Sequence, residues 1–331
     1  MRIVTTLPSA TEMVAALGCE PVGVSHECDY PPNAASAPAI TRSRIDADES
    51  ASSGEIDRQV LETADTEGGV YDVDVETLDD LEPDVIVTQG MCDVCAVDVA
   101  VIEDAVDRIS ADPEIVPTDP HSVGDVLDDL ERIGRAIGRE ERAREVRREL
   151  ESRLEDVRNR TDGIAAEDRP RVAIFDWTDP AMVAGHWTAE LVDWAGGEYG
   201  LADVGERSSP REWMDIRAYD PEVVIVAPCG FDLEQIARNR TDLTEREGWG
   251  ALTAVREGRV WAMDGDHYLN RPGPRLVDTL EALAPIVRPE LFDGPAADVA
   301  VPFGDLEGIE GAEPGDEPAD PESRAEIDSS P

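Results

Sequence analysis

Lysine is absent from this 331-residue chain, and every one of its 29 basic residues is arginine. Positive charge is scarce altogether: 75 acidic residues leave a net charge of −46. Such an excess repels phosphate backbones and anionic lipid, so neither nucleic acid nor a membrane surface is an expected partner. The acidic residues are spread along the whole chain, the pattern of a solvated surface suited to high salt, where screening removes self-repulsion. A halophilic source is the expectation. Long apolar runs are missing too, and nothing approaches the roughly 18 apolar residues of a membrane span. Met1 leads straight into a strand pattern without a leader-like stretch. The chain as written is therefore expected in the cytoplasm, and outside it if the true start lies upstream. There is no G-x-S-x-G, no P-loop and no G-x-G-x-x-G between a strand and a helix, so no enzyme is expected.

What is present is a repeat around a charged helical segment. Ser122 to Arg158 carries Val126, Leu127, Leu130, Ile133, Ile137, Val146, Leu150, Leu154 and Val157 at helical spacings, with Arg/Glu pairs between them. Gly138 should split it into a shorter and a longer helix. On either side lie similar halves. Arg2-Ile-Val-Thr-Thr-Leu7 opens the first and Arg171-Val-Ala-Ile-Phe175 the second. Leu81-Glu-Pro-Asp-Val-Ile-Val-Thr88 is then matched by Tyr219-Asp-Pro-Glu-Val-Val-Ile-Val226. Strands alternating with helices predict an α/β fold with a parallel sheet in each lobe. The expected division is an N-terminal lobe over 1–120, a bridging helix over 121–160, a C-terminal lobe over 161–290 and an acidic, disordered tail over 291–331. Ser9 or Thr11 is the expected cap of the first helix.

Ligands of parallel sheets sit beyond the carboxyl ends of the strands. The loops there hold most of the unusual residues: His26, Cys28 and Tyr30; Cys92 and Cys95; Trp177; His186 and Trp187; Cys229; His267 and Tyr268. Cys92-x-x-Cys95 brings two sulfurs onto one turn, the requirement of zinc, iron–sulfur and redox dithiol sites. Further ligands would have to come from Cys28, His26 or Cys229. Packing or plain ligand contact is the other reading, and Cys19, inside its helix, reads as a small buried hydrophobe. Aromatics are 5% of the chain, and Tyr30, Trp177, Trp187, Trp213 and Tyr268 either fill cores or wall a flat ligand. Arg271 and Arg275 bracket Pro272-Gly-Pro274 and suit either ligand carboxylates or local ion pairs.

Read together, Pro8-Ser-Ala-Thr-Glu12, Pro21-Val-Gly-Val24, Asp29-Tyr-Pro-Pro32, Leu81-Glu-Pro-Asp-Val-Ile-Val87 and Arg271-Pro-Gly-Pro-Arg275 resemble the cobalamin-binding proteins of ABC importers. These belong to a wider helical-backbone group that also carries iron–siderophores, haem and metal ions. The resemblance covers about residues 1–290. It implies a class III periplasmic-binding-protein-like fold, two lobes on a rigid helix with ligand in a shallow cleft, a monomer, and service to an ABC permease. Tyr30 looks like the tyrosine that contacts the corrin, and His267-Tyr-Leu-Asn-Arg271 (with Tyr268, Leu269 and Asn270) like the loop lining the opposite lobe. Tyr268 stands where a tryptophan is expected. The cleft cysteines are a departure from the group and point to zinc, cobalt or an iron–sulfur cluster gripped by Cys28, Cys92, Cys95 and Cys229. The leading expectation is a small-molecule binder for cobalamin or a related corrinoid. The alternatives are a binder of a metal ion, haem or iron–siderophore, and a cytosolic thiol redox or corrinoid-processing protein.

Overall fold

Both Pro-acidic repeats become strands beside the middle of a parallel sheet. In this computed structural model, which describes residues 1–46, 51–67, 69–91 and 97–308, the first 120 residues form five strands. These are β1 (Ile3–Thr5), β2 (Thr41–Ser43), β3 (Tyr71–Val73), β4 (Val85–Gln89) and β5 (Glu114–Thr118). Helices α1 (Pro8–Ala16), α2 (Ser53–Glu67), α3 (Val75–Asp80) and α4 (Val99–Val106) lie between them. The parallel order is β1-β4-β5, and all five residues of β4 are buried, as a strand covered on both faces requires. Pro117, which cannot donate to a ladder, sits in the edge strand β5. Pro21-Val-Gly-Val24 forms only isolated bridges, Val4 with Gly23 and Val24 with Ala39.

Two helices follow, α5 (Val123–Ala136) and α6 (Glu140–Thr161). Gly138 separates them at φ +68°, a conformation that costs glycine nothing. Ser122 caps α5 by accepting from the Asp125 N–H. α5 packs back on α1 and β5, whereas α6 packs on two helices of the second lobe, Thr188–Trp194 and Leu276–Val287.

That lobe contains β6 (Val172–Trp177), β7 (Met182–Val183), α7 (Thr188–Trp194), β8 (Ser209–Pro210), α8 (Trp213–Tyr219) and β9 (Val223–Val226). It continues with α9 (Leu233–Asn239), α10 (Thr241–Thr244), α11 (Thr253–Arg256), β10 (Val260–Met263), α12 (Leu276–Val287) and β11 (Ala300–Pro302). The sheet order is β11-β10-β9-β6-β7-β8, with β10, β9 and β6 parallel. The expected disordered tail starts too early. Residues 300–302 pair antiparallel with β10, and Phe303 and Leu306 are buried in the lobe's core; residues 309–331 lie outside the description. The reason is local: Ala300-Val-Pro-Phe303 is the one apolar run among those acidic residues, and it covers what is otherwise an open sheet edge. The cap of α1 also differs. Pro8 opens the helix with Leu7 at its N-cap, and no side chain caps it.

One apolar core is continuous through both lobes. It runs from Ile3 and Met13 through Leu130, Val146 and Leu154 of the helix pair to Ile174, Leu191 and Leu280. Glu190 of α7 adds a polar link by accepting the Val123 N–H at the start of α5, at 2.9 Å.

Candidate functional site

Between the lobes, where β1, β6, β9 and β10 all end, lies a lattice of charges. Glu12 of α1 is buried, and its Oε1 accepts from Arg271 at 3.1 Å and from Arg275 at 2.5 Å. Arg271, only 4% exposed, also pairs with Asp29 of the first lobe and with Asp266 Oδ1 at 3.2 Å. His267 is held at Nδ1 by Asp264 (2.6 Å) and faces Asp29 with Nε2 (3.2 Å). These carboxylates hold the imidazole in its charged form, pushing its pKa up to about 10, and Asp264 is the largest cause. Burial alone would raise the Asp29 carboxyl; the His267 and Arg271 bonds reverse that and carry it well below the usual carboxylate range. With Asp264 and Asp266 the floor sets four carboxylates against three cations, and it ties the lobes together.

Above this floor the Arg275 guanidinium lies 4.7 Å from the Tyr30 ring and 5.8 Å from the Tyr268 ring. The first lobe thus offers Tyr30 and the second Tyr268 to one space, and Tyr30, 47% exposed, is the more open of the two. Nearby, His26 bonds Thr41 Oγ1 through Nδ1 at 2.8 Å and lies against Tyr71. Burial lowers its pKa, and its Nε2 lies 4.0 Å from Glu27 Oε1.

Other expected contacts are structural. Trp187 is buried and donates its Nε1–H to the Leu269 carbonyl at 3.0 Å, and Leu269 is itself buried. Asn270 spans the carbonyls of Ala227 and Gly265 at 2.9 and 3.0 Å and so ties down the loop after β10. Trp177 packs on Phe231 and donates to the Asp179 carbonyl at 3.1 Å. His186, at φ +53°, stacks on Trp187 and lies beside His121 at the start of α5.

Of the four cysteines expected at a metal, Cys28 and Cys229 fall among the described residues. No group of three or more His, Cys, Asp and Glu has a geometry that holds a metal ion there. Cys28 is buried with its sulfur 3.0 Å from Thr11 Oγ1, and burial pushes its pKa up to about 11. Cys229 is a free, half-buried thiol, and Cys92 and Cys95 lie outside the described residues. Of the two readings of Arg271, the structure shows the ion pair, with carboxylates that come from distant parts of the chain. The signal for Glu12 was available: it is the only charged residue in α1, and a lone charge on an otherwise small and apolar helix needs a buried partner.

With this geometry in place, comparison with known proteins becomes informative. The family described as periplasmic binding protein matches residues 3–267. The chain belongs to that family. An ABC transporter substrate-binding lipoprotein of Bacillus subtilis is 23% identical over 297 residues, 88% of this chain and 81% of that protein. The periplasmic vitamin B12 binding protein of Vibrio cholerae is 20% identical, covers 87% of this chain and 96% of its own, and superposes with a TM-score of 0.61. A periplasmic heme-binding protein of Roseiflexus sp. RS-1 is 22% identical over 86% of this chain and 97% of its own, with a TM-score of 0.65. These likenesses establish the fold expected from the sequence, a class III periplasmic binding protein, and a solute-binding family.

Proposed function

We propose that this periplasmic-binding-protein-family member binds cobalamin or a related corrinoid between Tyr30 and Tyr268 and delivers it to an ABC-type permease. The observation that carries the reading is the pair of tyrosines facing one space from opposite lobes across the Arg275 guanidinium. Aromatic walls suit a broad, flat macrocycle. The floor discriminates further. Arg271 and Arg275 already pair with Glu12, Asp29 and Asp266, and Arg275 keeps one buried unpartnered donor, its Nε, so carboxylate-bearing ligands such as haem or many ferric siderophores meet acidic groups beside those cations. A corrinoid edged with neutral amides meets donors and acceptors without that penalty. His26, whose pKa is lowered by burial, is the imidazole best suited to approach cobalt.

Titration with cyanocobalamin in molar salt tests the proposal, with haemin as comparator. Saturable binding with a visible-band shift, weakened tenfold or more by Tyr30→Ala, is expected. Haemin binding with no cyanocobalamin response would overturn it.

A further inference from the structure

We propose that helix α2 is a strap closing one side of the cleft, and that ligand exchange requires its N-terminal foot to undock; this deepens the reading above and borrows its ligand. By sequence α2 belongs to the first lobe, yet its first turn is fastened to the second. Ser53 is completely buried. Its N–H donates to Asn239 Oδ1 at 3.1 Å, and its hydroxyl donates to the Asp242 carboxylate. Thr178, the residue after β6, donates to the same Asp242 oxygen at 2.9 Å. Asn239 is aimed by its own bond to the Gln235 carbonyl, at 3.0 Å. Gly54 permits the close approach, since a Cβ there would lie 2.7 Å from Asp179 Oδ2. One turn on, Ile56 packs against the apolar core of the second lobe.

The far end of α2 leads into β3, where Tyr71 donates to Glu27 at 3.1 Å and lies against His26. A 15-residue helix is about 22 Å long. It therefore reaches from the end of β6, beside Trp177, to Tyr71, which touches the loop that carries His26 and Tyr30. Elsewhere the lobes share a continuous apolar core and a buried ion lattice, neither of which separates readily. The foot of α2 is a small set of side-chain hydrogen bonds, with Asp57 crowded by Asp179. It is the contact between the lobes best suited to break and re-form.

The test combines a lock and a release. The double variant Ser53→Cys/Asp242→Cys is oxidised and the engineered bond verified by peptide mass mapping; Asn239→Ala weakens the foot instead. Stopped-flow binding of cyanocobalamin, haemin and ferrichrome is measured alongside hydrogen exchange over residues 53–64. The lock should slow association and release at least tenfold, reversed by dithiothreitol, and Asn239→Ala should speed both release and α2 exchange. A locked protein that exchanges ligand at the wild-type rate overturns the strap. So does α2 exchange that is equally fast in the wild type and in Asn239→Ala. Binding of haemin or ferrichrome alone sinks the corrinoid reading but leaves the gate to be measured on that ligand. Silence from all three withdraws both.

Discussion

Replacing Arg271 with methionine removes the guanidinium that holds Glu12, Asp29 and Asp266 across the lobe junction. The side chain is 5% exposed and Glu12 2%, so the stranded carboxylate cannot recover its hydration. Breaking a buried pair by deleting one partner costs about 3–5 kcal/mol, far more than the pair contributes relative to an apolar substitute. Arg275 still touches Glu12, which favours the lower half of that range. For a chain of 331 residues about 1 kcal/mol moves Tm by roughly 1.5 °C, so a fall of about 4–6 °C is expected in molar salt. Arg153 supplies the control. It links α6 to Asp278 and Glu281 of α12, but all three side chains are 37–42% exposed, and surface pairs contribute about 0–1 kcal/mol. Calorimetric melting of Arg271→Met, Arg153→Met and Glu12→Gln/Arg271→Met decides the matter. The double variant should recover much of the loss, because no buried charge is left unpaired. An Arg271→Met melt within 2 °C of wild type, or a double variant worse than the single, would refute the lattice as a buried, coupled unit.

His267 is held protonated up to about pH 10, so its contribution to stability is complete below about 6.5 and is lost as pH rises through 10. Tm should decline across that window, and His267→Gln should flatten the decline; an NMR titration midpoint near 6.5 would contradict this. Asp176, buried with its Oδ1 unpartnered, has its pKa pushed up to about 6 by burial. The folded form therefore binds the extra proton between about pH 4 and 6, and ionisation above that range costs stability. Asp176→Asn should leave Tm nearly unchanged at pH 4 and raise it by a few degrees at pH 8, and an equal effect at both would count against the assignment. Cys28, with its thiol pushed up to about 11, should resist iodoacetamide in native protein at pH 8, whereas half-buried Cys229 is modified. Peptide mapping reads both sites at once.

The architecture was legible because its signals are local. Four β-branched residues after Pro83-Asp84 and after Pro221-Glu222 can only be buried strands, and Gly138 between two amphipathic runs can only be a break. The loop residues were harder for a physical reason. Trp187, Asn270 and Arg271 look free in sequence because the groups that occupy them, the Leu269 carbonyl, the Ala227 carbonyl and Glu12, come from up to 259 positions away. A side chain's availability depends on those distant partners, and no spacing rule contains them. Tyr30 and Tyr268 are likewise met by a distant group, the Arg275 guanidinium.

The same long-range contacts bear on how the protein moves. Domain closure in a two-lobe binder requires an interface that opens at small cost, yet here apolar packing passes without interruption from β1 through α6 to β6 and α12. Parting the lobes would expose that core and split the Glu12–Arg271 pair in the same motion. A large hinge rotation is therefore disfavoured, and ligand must be admitted by a smaller element. The foot of α2 is that element: its anchors, Ser53, Asn239 and Asp242, are polar groups that water can satisfy once they part. The fold thus divides its labour, keeping the lobes in fixed register so that Tyr30 and Tyr268 stay opposed and confining motion to a helix that bears none of the proposed ligand contacts.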